Sequence, residues 1–472
     1  MDFLMKKYAY FEENILLNLH RNGIRHRPNA NIGLWLGMLV GLSAILNLLK
    51  EDTSYSEICL IVGLTGVGLV MSSICLYVRL TTKKVIVKDF QVIYFLPAIV
   101  TSMLYLLVAN KGLLWSVTWG LSVGSLGTWS IIQLMSTFPN CFTLGEATAV
   151  VHGCVLFIMS AVTNLPLRYH LPPIHNDDIA TVLLQVAIIY IVLVCLLCGY
   201  FPIFRETKYF YAMLTALLLL IVLPIMHSIL DQNPLTWTFS YMFGTKRKII
   251  LFGYWAICLL VAIIAVVYQI LWNSQATTSI RKIFHILAVL VYIPGLIYEQ
   301  TLLYFASGVI MGLFIFLELT RYLRISPLGE ILEQGFSVYA DEKDNLISLT
   351  ALYLHSGLSF PLWMPSNNVP LVALFSGSLS VGVGDTAASI VGSKWGSHKW
   401  RRSDKSIEGT LACIFSQVIL IFILRFMGYL DSYWLLLKVL SISIAVSFVE
   451  ARTNQVDNLA LPLLMYVCLI MI

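Results

Sequence analysis

A chain of 472 residues that is 58% hydrophobic and only 12% charged, with a mean hydropathy of +0.83, is excluded from the water-soluble class. Globular chains carry about twice that charged fraction. The formal net charge of +5 matters less than where the basic residues lie, and no nucleic-acid partner is expected. The apolar material falls into runs of roughly 18 to 24 residues, the length a helix needs to cross about 30 Å of hydrocarbon. Such runs also exclude a barrel, whose strands alternate over about ten residues. The expected fold class is all-α, a polytopic integral membrane protein.

Residues 1–31 read as a polar cytosolic N-terminal segment, with Lys6, Lys7, Arg21, Arg25 and Arg27 ahead of the first span. No cleavable signal peptide is expected there, since the first apolar run is of spanning length. About fifteen spans follow, beginning near Ile32, Glu57, Phe90, Leu113, Gly145, Ile179, Tyr209, Ile249, Ile283, Thr301, Leu346, Val369, Gly409, Ser432 and Val456. The loop after the first span is acidic, and Arg79, Lys83, Lys84 and Lys88 follow the second, which places the N-terminus in the cytosol. Alternation from there puts Arg281 and Lys282, the loop of residues 321–345, the basic loop after Gly392 and the turn "EARTNQVDN" on the cytosolic face. Lys246, Arg247 and Lys248 fall on the lumenal side, against the rule.

No repeat and no linker divides the chain, but its chemistry does. Residues 32–277 form an N-terminal transmembrane region of about eight helices with few ionisable groups, and residues 278–472 a C-terminal catalytic region with longer, more polar loops. Glu146 and His152 lie near a span end, where solvation makes a structural role the simpler reading. The nine cysteines sit mostly in apolar runs and read as buried thiols. Cys195 and Cys198 have redox or zinc spacing without a second ligand pair.

The chemistry concentrates in "VGVGDTAASIVGSKWGSHKWRRSDKSIEGT", residues 381–410. Gly377, Gly382, Gly384 and Gly392 suit close helix packing. Asp385, however, follows Gly-x-Gly directly and precedes the small residues Thr386, Ala387, Ala388 and Ser389, which would admit a ligand to the backbone. A carboxylate so placed suits Mg²⁺ or another divalent cation together with phosphate oxygens, and Ser389 shares a helix face with it. Lys394, Lys399, Arg401, Arg402 and Lys405 then form a basic loop that ends at Glu408, Gly409 and Thr410, where a helix start would favour an anion. Neither a Walker loop nor a protein-kinase set is present. The residues themselves thus point to a nucleotide or polyphosphate site at the cytosolic side of a membrane.

Three other stretches can reach that face. Arg281, Lys282 and His285 open "RKIFHILAV". "ELTRYLRISPLGEILEQGF" reads as a connector or as an interfacial helix that guides a lipid, with Glu318 and Arg321 three residues apart. "VEARTNQVDNLALP" brings Glu450, Asp457 and Asn458 to a membrane boundary, Asp457 being a second candidate metal ligand.

With "RKIFHILAVLVYIPG", "FIFLELTRYLRISPLG", "VGVGDTAASIVGSKWG", "KSIEGT" and "VDNLALPLL" in this order, the chain resembles the CTP-dependent polyprenol kinases, the family of dolichol kinase. The resemblance implies a multi-pass protein of the endoplasmic reticulum that moves the γ-phosphate of CTP to the hydroxyl of dolichol, for N-glycosylation, O-mannosylation and GPI-anchor assembly. It places the CTP site at Gly384, Asp385, Thr386, Ala388 and Ser389 with Lys405, Glu408, Gly409 and Thr410, and it aligns the family's Arg-Lys pair with Arg281 and Lys282. Members of the family often carry two basic residues and Thr before Glu-Gly, where this chain has Asp404, Lys405, Ser406 and Ile407.

The expected mechanism has Asp385 and Asp457 hold the cation on CTP while Lys405, Arg281 and Lys282 neutralise phosphate oxygens. Glu408 would position Lys405 or a water, and Asp457 or His285 would serve as base. The alternatives are another CTP-using lipid enzyme, acting on phytol or diacylglycerol or resembling CDP-diacylglycerol synthase, and a transporter.

Overall fold

The computed structural model describes residues 2–51, 56–82, 95–271, 278–339, 346–365, 368–401, 403–430 and 432–472. Among them the chain is all-helical, with a lone antiparallel bridge between Lys399 and Ser406 in the basic loop. Each of the fifteen apolar stretches contains helix. Among the described residues, nine helices are long and apolar enough to cross a membrane, from Glu57–Thr82 to Tyr433–Glu450. Leu34–Lys50, Phe95–Leu107 and Asp457–Ile470 are apolar but shorter. Lys83, Lys84 and Lys88, which carry much of the orientation argument, lie outside the described residues, as does Arg402.

The N-terminal segment holds an element that its polarity hides. Asp2–Arg21 is a helix that packs on Glu57–Thr82. Ile15 and Leu19, four residues apart and both buried, make its apolar stripe, and Asn18 Nδ2 donates to the Leu80 carbonyl at 2.6 Å. The helices that follow pack closely through small residues. A Cβ added at Gly66 would stand 2.5 Å from the Gly41 carbonyl oxygen, and one at Gly124 would stand 2.7 Å from Ala98 Cβ. That is how membrane helices gain contact where no hydrophobic effect drives them together.

The last helix, Asp457–Ile470, ties the two sequence regions together. It packs on Leu34–Lys50 from the first region and on Leu349–Trp363 and Ser378–Asp385 from the second. Leu36 and Leu144 share one apolar core with Leu379 and Tyr466, and the Tyr466 hydroxyl donates to Asn47 Oδ1 at 2.9 Å. A separate apolar cluster joins Asn176–Tyr200, the Thr207–Leu230 stretch and Gln300–Tyr322 through Ile179, Leu183, Leu230 and Phe305.

The connector after Gln300–Tyr322 contains a helix, Leu328–Tyr339. Arg321 holds it in place, donating to both oxygens of Glu318 at 2.6 and 3.0 Å and to Glu333 Oε2 at 2.7 Å, with its guanidinium over the Phe336 ring. Lys248, one of the cations that conflicted with the charge rule, is buried with its ammonium 3.4 Å from the centre of the Tyr241 ring.

Candidate active site

The glycine-rich stretch does not form a regular α-helix. Ser378–Asp385 is a π-helical segment that runs straight into the α-helix Thr386–Trp395. The widened turn shows at its end, where Thr386 Oγ1 donates to the carbonyl of Val381, five residues back, at 3.3 Å. Such segments recur at functional sites, because they turn a side chain that a regular helix would aim elsewhere. Here the side chain is Asp385, 4% exposed, at the centre of a packing node formed with Thr278–Tyr298, Ile407–Phe426, Tyr433–Glu450 and Asp457–Ile470.

Each neighbouring helix delivers a polar group. Lys282 Nζ donates to Asp385 Oδ2 at 2.5 Å, and Ser389 Oγ donates to Asp385 Oδ1 at 3.3 Å. His285 Nε2 lies 3.1 Å from Asn458 Oδ1 and 4.0 Å from Asp385 Oδ2. Lys405 reaches in from the basic loop, donating to the Glu450 carbonyl at 2.8 Å, Glu450 Oε1 at 2.6 Å and Asp457 Oδ2 at 3.1 Å. Burial opposes the charge of Lys405, but the Asp457 and Glu450 carboxylates outweigh it and raise its pKa above the ordinary lysine value. The loop is pinned beside the cluster by Ser403 Oγ, which donates to the Ala451 carbonyl at 3.0 Å, and by Trp400 Nε1, which donates to Thr410 Oγ1 at 2.9 Å.

These groups border a cleft of about 250 Å³. Of the residues expected from sequence, Asp385, Ala388, Ser389, Gly392, Lys405, Gly409, Thr410 and Asp457 line it. Lys282 joins through its ion pair with Asp385. Gly392 and Gly409 do a packing task as well: a Cβ on Gly409 would meet the Ala388 carbonyl oxygen at 2.9 Å, so its absence lets two helices cross at the cleft wall. Ser406, also on the wall, caps Ile407–Phe426 by accepting from the Gly409 amide at 3.1 Å.

Other expected residues stand elsewhere. Gly382 faces Val289, and Gly384 faces Gln417 and Cys413, so both serve close helix contact. Thr386 spends its hydroxyl on the π turn. Lys394 is exposed and Arg281 half-buried, and neither lines the cleft. Glu408 points to the loop, where Oε1 accepts from Ser397 Oγ at 2.7 Å and lies 2.7 Å from His398 Nδ1. It contacts neither Lys405 nor the carboxylate cluster in any hydrogen bond or ion pair among the described residues.

The residue that sequence reading left at a membrane boundary is Glu450. Asp385, Glu450 and Asp457 each offer a carboxylate oxygen, all within 4.8 Å of one another. Asp457 Oδ1 is buried without a hydrogen-bond partner among the described residues. Three converging carboxylates, one with a free oxygen, fit a hard divalent cation that keeps phosphate oxygens as its remaining ligands. The signal in the sequence was the seven-residue interval from Glu450 to Asp457, which spans one turn between two helices.

Glu146 and His152 are not near solvent: both are 0% exposed. Glu146 closes a capping box with Thr143 and pairs with Arg27 at 2.6 Å. The Cys195 and Cys198 thiols are free, and the acidic triad is the metal-type cluster found among the described residues.

Fold and site together define an all-α polytopic membrane protein with an acidic cleft, countered by two lysines, among its C-terminal helices. The family model for dolichol kinase matches residues 128–346. The dolichol kinase of Homo sapiens is 35% identical over 361 residues, covering 71% of this chain and 66% of that protein. Dolichol kinase EVAN of Arabidopsis thaliana is 32% identical over 398 residues, covering 75% of this chain and 68% of the plant protein. The dolichol kinase of Saccharomyces cerevisiae is 29% identical over 242 residues, covering 50% of this chain and 45% of the yeast protein. The chain belongs to the dolichol kinase family, and it spans 66% of the length of its human relative. No solved structure matches it.

Proposed function

We propose that this chain transfers the γ-phosphate of CTP to the terminal hydroxyl of dolichol, giving dolichyl phosphate and CDP, in the endoplasmic reticulum membrane with the cleft facing the cytosol. The observation that carries this is the convergence of Lys405 and Lys282 on Asp385, Glu450 and Asp457 in one cleft. Phosphoryl transfer asks a protein mainly for in-line positioning and charge cancellation, and this set supplies both.

Asp385, Glu450 and Asp457 would hold Mg²⁺ or another divalent cation. Once bound, the cation would supply positive charge that offsets the charge of the phosphate oxygens. Lys405 and Lys282 each exchange a carboxylate partner for a phosphate oxygen when the nucleotide enters. The start of Ile407–Phe426, at the cleft wall through Gly409 and Thr410, favours the phosphate chain. The acceptor oxygen forms its bond to the γ-phosphorus as the bridging bond to the β-phosphate breaks, and the hydroxyl proton passes to a carboxylate of the cluster. His285 is turned to Asn458 and does not line the cleft, which favours a carboxylate over the imidazole. A site among membrane helices suits the acceptor, whose chain resists leaving the bilayer by about 0.8 kcal/mol per buried CH₂.

The test is an acceptor panel with the chain in nanodiscs. γ-Labelled CTP should label dolichol, and not phytol or diacylglycerol. Label on diacylglycerol instead, or CMP transfer to phosphatidate when α-labelled CTP is used in parallel, would replace this reading by that of a different CTP-using lipid enzyme.

A further inference from the structure

The turn between Glu450 and Asp457 decides how far apart those carboxylates stand, and the C-terminal region does not hold it alone. The fixing groups come from the start of the chain and from the helix Leu144–His170. Arg27 Nη2 donates to the Asn454 carbonyl at 3.1 Å and to Glu146 Oε1 at 2.6 Å. Glu146 Oε1 in turn accepts from the backbone amide of Val456, the residue before Asp457, at 3.0 Å, and Glu146 Oε2 accepts from the Thr143 amide at 3.0 Å.

Gln455 completes the clamp. Its Nε2 donates to the Asn31 carbonyl at 2.8 Å, and its Oε1 accepts from Thr143 Oγ1 at 2.7 Å. The fit is close: a Cβ on Gly33 would strike the Gln455 side-chain amide, and one on Gly145 would strike the Gly33 carbonyl oxygen. Arg27, Glu146 and Gln455 are 5%, 0% and 2% exposed. Three consecutive turn residues, Asn454, Gln455 and Val456, are thus bound by groups more than 300 positions away in the sequence. A buried charge pair needs no backbone amide from a distant turn to be satisfied as a pair, yet Glu146 spends an oxygen on Val456.

We infer that Arg27, Glu146 and Gln455 are positioning residues for the reaction: they fix the Asn454–Val456 turn so that Glu450 and Asp457 meet Asp385 at the separation a divalent cation needs. This inference rests on the proposed cation-dependent phosphotransfer, and it gives the N-terminal region a task in the site. None of the three touches the cleft, so their effect passes through the turn.

The test uses the full chain in detergent micelles, with Mn²⁺ binding followed by electron paramagnetic resonance. Gln455→Met keeps the length of the side chain and leaves the Arg27–Glu146 pair intact, so the protein should still fold. Its Mn²⁺ affinity should fall at least fivefold, and its half-saturating Mg²⁺ in the kinase assay should rise in parallel. The KM for dolichol should not change. A second variant, the exchange Arg27→Glu with Glu146→Arg, restores a charge pair but offers the Val456 amide a donor in place of an acceptor. It should recover thermal stability relative to Arg27→Glu alone while Mn²⁺ affinity stays low.

Wild-type Mn²⁺ affinity in a folded Gln455→Met protein would overturn the inference and leave the phosphotransfer reading standing, as would full recovery of Mn²⁺ binding in the charge exchange. A wild-type chain that binds Mn²⁺ no better than Asp457→Asn would remove both.

Discussion

Lys405 occupies the place a cation would take, and replacing it by methionine separates the two tasks assigned to it. Its ammonium makes charge-assisted contacts with Glu450 Oε1 at 2.6 Å and Asp457 Oδ2 at 3.1 Å. Such bonds contribute about 1.5 kcal/mol each at the low end. The side chain is 29% exposed, so solvent screening cuts the pair's combined contribution by about half, to about 1.5 kcal/mol. In Lys405→Met, an incoming metal no longer competes for those oxygens, and its affinity should rise about tenfold, since about 1.4 kcal/mol is a factor of ten. Phosphate transfer should fall at least a hundredfold, because the charge proposed to meet the phosphate is gone. Mn²⁺ titration beside a kinase assay reads both. A Lys405→Met protein that binds Mn²⁺ more weakly than wild type would refute the reasoning, because Lys405 would then be supporting the cation and not standing in for it.

Asp385→Asn should lower turnover by two to three orders of magnitude at matched amounts of folded protein, about the loss expected when a charge-stabilising group is removed. Glu408→Gln should leave turnover within about threefold, since Glu408 bonds to Ser397 and His398; a loss comparable to Asp385→Asn, in the same assay, would return it to the catalytic set. Arg27→Ala should lower stability by about 3 to 5 kcal/mol, because it strands a fully buried carboxylate, and thermal unfolding in detergent reads this directly. The raised pKa of Lys405 gives a pH test. A group whose pKa is raised on folding contributes fully below its ordinary value, 10.5, and loses that contribution as pH climbs through the folded value. The stability difference between wild type and Lys405→Met should therefore stay constant from about pH 7 to about pH 9.5; a difference that shrinks within this window would show that Lys405 is not held in its charged form.

How much of this was legible depended on sequence distance. The helical class follows from hydropathy, because a segment crossing hydrocarbon must satisfy its own backbone, and of the fifteen or so expected spans nine among the described residues are long and apolar enough to cross. Asp385, Ser389 and Lys405 stood out because they interrupt an apolar chain within a short interval, and that interval became one cleft. Gly382 and Gly384 belong to the same run, yet they face neighbouring helices; only packing tells a glycine that admits a ligand from one that admits a helix. Glu450 looked like a boundary residue because its partners, Lys405 and Asp385, lie 45 residues or more away. Glu146 was hardest to read. Apart from its local capping box with Thr143, its partners are Arg27, 119 residues before it, and Val456, 310 after it, and no local pattern announces either. Asp2–Arg21 was missed because its apolar stripe is narrow and its composition polar, which hides an amphipathic helix from a span-seeking eye.

The central claim is that one cleft, centred on Asp385 and its lysine partners, moves phosphate from CTP to dolichol. The most direct measurement is transfer from γ-labelled CTP, with γ-labelled ATP in parallel, to dolichol in membranes from cells making the wild-type chain or Asp385→Asn at matched expression. The account predicts label on dolichol from CTP in the wild type, little from ATP, and near-background transfer in the variant. Transfer from CTP that survives Asp385→Asn unchanged would show that the chemistry takes place elsewhere in the molecule and would contradict the account.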